Sequence, residues 1–420
     1  MDLLIKNAHV VSPADGLDGM ADILIRDGKI AQIGDALPQN GEVIDAQGLT
    51  AIPGLVDMHV HLRDPGQTAK EDIYTGCRAA AAGGVTSLLA MPNTSPAADS
   101  GETVRYILEK AKDADARVYV AASITKGLQS KEPTDLEEVR QAGAVGLSDD
   151  GRPVVNTAFL RDAMKKAPAL GLTVVAHCED LFLAEGGKIN LGEVSEALGV
   201  KGIPAAAEDC GTAREIALAA AENVPVHICH VSTATSVALV RDAKSRGVKV
   251  TAETAPHYFS LTEKALLKRD ADYRMNPPLR TDKDMNAVIE GLVDGTLDAI
   301  ATDHAPHTPE EKSDFEKAPN GSIGMETSLA AGVTYLVKTG YLTFDELVRK
   351  MSVNPAKILG IDAGTLRVGA PADVVLVDLE EEWTVDPQKL HGKSRNTPFK
   401  GMTLTGKVKK TFLGGRVVFE

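Results

Sequence analysis

Eight apolar runs of strand length recur through the middle of the chain, with helix-compatible stretches between most of them. They are LVDMHVH (55–61), VTSLLAMP (85–92), RVYVAASI (117–124), AVGLS (144–148), LTVVAH (172–177), PVHICHVS (225–232), VKVTAE (248–253) and LDAIATD (297–303). Alanine-rich or charged segments such as KEDIYTGCRAAAAGG and ETVRYILEKAKDADA fill the gaps. Eight buried strands alternating with helices are the pattern of a closed parallel (β/α)₈ barrel. An open doubly wound sheet is the alternative, but no GxGxxG turn follows any of the eight runs.

The two ends read differently. LLIKNAHVV, ADILIRDGKIAQIG and EVIDAQG are short alternating strands, and Asp27-Gly28 is a strong hairpin signal. ADVVLVDL, LTGKVKKTFLGG and RVVFE return to that texture at the C-terminus. We therefore expect a small β-sandwich-like domain built from residues 1–52 and 361–420, with the barrel spanning 53–360.

Composition bounds the partners. Hydrophobic residues make up 43% but aromatics only 4%, so aliphatic side chains must fill the core. A formal net charge of −14 argues against nucleic acid or an anionic membrane. It leaves open an anionic small-molecule substrate, since one arginine or metal ion can dominate a local field. The start of the chain lacks the basic and apolar regions of a signal peptide, and no run approaches the roughly 18 apolar residues of a membrane helix. Four cysteines in so long a chain read as reduced thiols, and the expected location is cytoplasmic.

Barrels of this kind build their sites at the C-terminal ends of the strands. The first run ends in His59-Val60-His61-Leu62-Arg63, the second leads into Asn93, and the fourth into Asp149-Asp150. The fifth ends at His177, the sixth at His230, the seventh leads toward Glu253 and His257, and the eighth reaches Asp303-His304, with His307 beyond. Five of the eight ends carry a side chain able to bind a metal. His59 and His61 alternate around Val60, so an extended strand aims both into the barrel mouth. Imidazole and carboxylate without thiolate suit zinc. Alternation turns Cys178, Cys229 and His304 away from the site. Cys77 and Cys210 lie in helical stretches and read as packed core thiols. Residues 305–322, rich in Pro, Glu, Lys and Gly, read as a mobile lid.

At these residues the chain resembles the amidohydrolase superfamily, and closely its first-class dihydroorotases. GLVDMHVHLRDPG (54–66) and ATDHAPHTPEEK (301–312) look like the two signatures of that family, with MPNTSP, GLSDDG, VVAHCED, HICHVST and RMNPPLR in order between them. The resemblance implies two zinc ions per subunit. His59, His61 and Asp303 would hold one, His177 and His230 the other, with Asp150 and a hydroxide bridging them. It implies that His61, Arg63, Asn93, Asn276 and His307 meet substrate, with Arg63 and Asn93 on its carboxylate. Asn320 and Gly321 would add backbone contacts, although the family more often carries a bulkier residue at the first of these positions. Asp149 is the other candidate for the bridge; the family pattern favours the aspartate before Gly151.

The implied reaction is the reversible cyclisation of N-carbamoyl-L-aspartate to (S)-dihydroorotate in pyrimidine (UMP) biosynthesis, with Asp303 as the catalytic proton carrier. A homodimer and an association with aspartate carbamoyltransferase belong to the same expectation. Two other readings compete. A hydantoinase or allantoinase would share the His-x-His but usually carries a carboxylated lysine at the end of strand four, where this chain has GLSDDG. A non-catalytic dihydroorotase-like subunit would lose ligands, and this chain keeps all six.

Overall fold

The computed structural model describes residues 2–39 and 41–420. Eight parallel strands form the barrel, each overlapping one of the eight apolar runs: β1 (Leu55–Val60), β2 (Val85–Ala90), β3 (Arg117–Ala122), β4 (Gly146–Leu147), β5 (Thr173–Ala176), β6 (Val226–Ile228), β7 (Val250–Thr254) and β8 (Ala299–Ile300). They are hydrogen-bonded in sequence order from β1 to β8. The ring closes just past the strands, where Val60 bridges to His304 and the His61 amide donates to the His304 carbonyl at 2.9 Å. Beside that seam, Asp57 accepts from the Thr302 amide at 3.0 Å and from its hydroxyl at 2.5 Å.

Each strand is buried on both faces, which is why the runs are continuously apolar rather than alternating. Val56, Met58, Leu89, Met91, Val175, Ala299 and Ala301 fill the barrel interior, and Ala356 and Leu359 pack against that cluster. The outward residues Leu55, Leu88, Val120, Leu147, Val174 and Ile228 join a larger core shared with the helices. The helix after β1 shows the local logic. Asp72 caps Ile73–Ala82 and exchanges bonds with Thr75, while Ile73, Cys77 and four alanines lie buried. Truncating one of the larger buried aliphatics, such as Leu88, should cost about 2–5 kcal/mol.

Both termini contribute to one further eight-stranded sheet. Thr50–Pro53 pairs antiparallel with Val374–Thr384, which ties the two ends together. Asp27 and Gly28 both take positive φ (50° and 74°) between strands Leu17–Arg26 and Lys29–Gly34, the turn an Asp-Gly hairpin requires. Among the described residues no helix is long and apolar enough to cross a membrane.

Candidate metal centre

Six buried side chains meet at the barrel mouth: His59, His61, Asp150, His177, His230 and Asp303. Asp150 stands at the middle. Its Oδ1 lies 3.1 Å from His59 Nε2, 3.4 Å from His177 Nδ1 and 3.6 Å from His230 Nε2, and its Oδ2 lies 3.4 Å from His61 Nε2. Asp303 Oδ1 is 3.2 Å from His61 Nε2 and 3.6 Å from His59 Nε2. His59–His61–Asp150 and Asp150–His177–His230 are thus two ligand sets of metal-binding size that share one carboxylate. Asp149 is used elsewhere. Its carboxylate accepts from the Ile124 and Thr125 amides at 2.6 and 3.1 Å and from the Thr125 hydroxyl, anchoring the end of β3.

The backbone leaves regular strand geometry to make this convergence. The register between β1 and β2 shifts between Asp57 and Val60. Arg63, His230 and Asp303 take positive φ (59°, 37° and 48°), costing about 1–3 kcal/mol each for residues with a Cβ. That departure corrects one expectation. Cys178 does lie on the outer side, but Cys229 belongs to the interior cluster with Val175 and Ala299, its sulfur beside His59 and Glu253. The chain leaves β6 at Ile228 and turns left-handed at His230, so strict alternation no longer holds. Cys77 is buried as expected, whereas Cys210 is exposed on its helix; all four thiols are free.

Do these residues fit metal ions? His59 Nε2 and Asp150 Oδ1 are fully buried, yet their mutual geometry is not that of a hydrogen bond and neither has another partner. Donors facing one another in this way suit a shared cation. Charge says the same: burial opposes protonation of His177, yet Asp150 and Glu179 push it up to about 10. The carboxylates demand positive charge at this point, which divalent ions would supply. Two histidines with a carboxylate form an ordinary zinc ligand set.

The outward ring nitrogens are held as well. His59 Nδ1 is 3.3 Å from Glu253 Oε1, His61 Nδ1 is 2.8 Å from Asn93 Oδ1, and His177 Nε2 is 3.2 Å from Glu179 Oε2. Such contacts fix the tautomer and aim the other nitrogen inward. Glu179 went unnoticed in the sequence, although its place two residues after His177 in HCED was the available signal.

The remaining candidates lie around the same mouth. Arg63 is buried, and burial lowers it to about 10 despite Asp303, Asp150 and Glu311, so it stays cationic at neutral pH. Its Nε donates to the Pro306 carbonyl at 3.2 Å, and its Nη2 is 3.5 Å from His307 Nε2. Burial, then the charge of Arg63, pushes His307 down to about 3, leaving a neutral imidazole 3.0 Å from the Asn320 carbonyl. Asn276 Nδ2 donates to Glu179 Oε2 at 3.2 Å. The Asn320 side chain accepts from Arg274, leaving its backbone to face the site. Gly321 has φ 139°, and a Cβ there would stand 2.9 Å from His307 Nε2. The Asn93 amide lies between His61 and Asp150, 2.8 Å from His61 Nδ1 and 3.5 Å from Asp150 Oδ2. It also lines a cavity of about 450 Å³ with Gln67, Thr94, Asp150, Gly151 and Arg152. His304 is turned away, 3.8 Å from Glu71 and bonded to the Gly324 amide.

Residues 50–418 match the model of the amidohydrolase family. A dihydroorotase of Geobacter sp. (strain M21) is 51% identical over 424 residues, covering all of both chains. One from Acetivibrio thermocellus is also 51% identical, covering 99% of this chain and 98% of its own. Among solved structures, the L-hydantoinase (dihydropyrimidinase) of Arthrobacter aurescens superposes with a TM-score of 0.90 at 28% identity, covering all of this chain and 96% of its own.

Proposed function

The chain belongs to the amidohydrolase family, and from that premise we propose that its barrel mouth carries two zinc ions and performs the dihydroorotase reaction. The activity is the reversible closure of N-carbamoyl-L-aspartate to (S)-dihydroorotate. One observation carries this reading: half the residues are identical, end to end, to enzymes named dihydroorotase, against 28% for the hydantoinase of similar fold. The lack of a lysine at the end of β4, where Asp149 and Asp150 stand, points the same way.

His59, His61 and Asp303 would hold one ion, His177 and His230 the other, with Asp150 between them. Bound there, the ions supply a nucleophile from water at neutral pH and polarise the ring carbonyl. Arg63 offers the substrate carboxylate a planar two-pronged donor at a site closed to water. Asn276 and His307 orient the ring beside it, and Gly321 lets the backbone approach. In ring opening, Asp303 takes the proton of the attacking water at a carboxylate oxygen and returns it to the departing ring nitrogen. In ring closure the same oxygen takes the proton from the attacking carbamoyl nitrogen and gives it to the carboxylate oxygen that departs as hydroxide when the N–C bond forms.

The test is a metal analysis of the purified protein beside rates on dihydroorotate and on unsubstituted hydantoin. We expect close to two zinc ions and a strong preference for dihydroorotate. Faster turnover of hydantoin would overturn the substrate assignment.

A further inference from the structure

Residues 305–322, which the sequence reads as a mobile lid, are held in the structure by a buried cation as well as by Phe315 and Ala318, which join the main core. The Lys312 ammonium donates to three backbone carbonyls, those of Arg274 (3.3 Å), Pro319 (3.0 Å) and Gly321 (2.9 Å). Lys312 is 9% exposed, and no ion pair among the described residues includes it. An ammonium has three protons, so its donors are fully used. Two of the carbonyls it holds, those of Pro319 and Gly321, flank Asn320, whose own carbonyl meets His307 Nε2 at 3.0 Å, and His307 in turn stands 3.5 Å from Arg63. Asn396 reinforces the arrangement from the C-terminal segment. Its amide donates to the Ala305 and Gly321 carbonyls at 3.2 and 3.1 Å and accepts from the His307 amide at 3.2 Å.

We propose that Lys312 is a positioning residue for recognition of the substrate carboxylate: its ammonium sets the peptides on either side of Asn320 and thereby holds His307 opposite Arg63. The segment Thr308–Asp314 has no apolar side chain beyond Pro309 to pack it down. Without the ammonium, three carbonyls lose a donor in a region with little water to replace it. Phe315 and Ala318 stay packed in the core, but the peptides on either side of Asn320 lose their fixed positions, and Asn320, Gly321 and His307 shift with them. Burial, the largest effect, lowers the ammonium to about 7, with Arg274 adding to the lowering and Asp272, Asp270 and Glu311 opposing it. The three carbonyl dipoles stand in place of a carboxylate partner.

The proposal rests on the dihydroorotase reading, and the experiment separates the two. Lys312→Met keeps the length of the stem and removes the donors. Losing one hydrogen-bonded charge should raise KM for dihydroorotate about tenfold or more, with kcat within about threefold and zinc content unchanged. Inhibition by dihydrouracil, the same ring without the carboxylate, should stay within about twofold of wild type. Lys312→Arg should recover most of the loss. Lys312→Gln, which keeps two donors, should fall between and serves should the methionine variant not fold. Combined with Arg63→Met, Lys312→Met should add little, because both act on the same carboxylate. Unchanged KM, or kcat and dihydrouracil binding falling in step with it, would overturn the role of Lys312. A wild type inert toward dihydroorotate would overturn the functional reading instead.

Discussion

The Asn93 side-chain oxygen lies 2.8 Å from His61 Nδ1, while Asp150 and Asp303 lie against the other ring nitrogen, Nε2. That contact places the proton on Nδ1 and leaves Nε2 as the inward lone pair. Removing it frees the ring to rotate. Asn93→Ala should weaken metal binding about 10- to 100-fold, and Asn93→Asp should largely restore it. Competition with a chelator measures this; equal affinity in the alanine variant would make Asn93 a substrate contact only.

Asp303→Asn keeps the shape of the side chain and one oxygen toward His61 but cannot carry a proton. Positioned acid–base groups contribute about 10²–10⁴-fold, so kcat should fall at least that far while most of the metal stays bound. A variant keeping more than a tenth of wild-type activity would remove Asp303 from proton transfer.

Asp150 is already a carboxylate and needs no added carbon dioxide to bridge two ions. Apo-protein should regain full activity with zinc alone, at one rate with or without bicarbonate. Asp150→Ala leaves His177 and His230 with no third protein ligand, so zinc should leave that pair first and activity should collapse. Reactivation that required bicarbonate would place the bridge on another residue.

His391, about half exposed, pairs through Nδ1 with Glu326 at 2.8 Å, and this hydrogen bond raises the imidazole above its usual value. A raised histidine contributes stability that is fully present below its unfolded value near 6.5 and lost as pH rises through the folded value. The melting-temperature gap between wild type and His391→Gln should therefore be widest at pH 5.5 and close by pH 8.5. For an exposed pair it corresponds to at most about 1 kcal/mol. A gap independent of pH would mean that the pair does not titrate.

The barrel was legible because buried parallel strands must be continuously apolar, and each of the eight runs overlaps a strand. His59, His61, His177, His230 and Asp303 were legible because strand ends point at the site. Cys229 was misplaced because the left-handed turn at His230 has no marker: histidine is not the residue normally read as a break in alternation. Lys312 was read only as part of a polar, lid-like segment, since composition cannot say whether a lysine faces water or three carbonyls. Asn93 acquires its role through His61, 32 residues away beyond another strand, a distance that local pattern does not span, whereas Glu179 stands only two residues from the His177 it holds.

The barrel has one seam, and the candidate metal ligands lie across it. Val60 and His304 bridge there, Asp57 grips Thr302, and Asp303 reaches over to His61. His59 and His61 enter from the first strand and Asp303 from beyond the last, so this ligand set joins residues 242 apart in the chain. It is complete only when the first strand and the segment beyond the last stand side by side. A cation held there works as a clasp on a hoop: it closes the longest loop of the barrel, and releasing it relieves the first and last staves of their shared fastening. Retention of the proposed zinc would therefore double as a gauge of whether the ring is shut, in folding as much as in turnover.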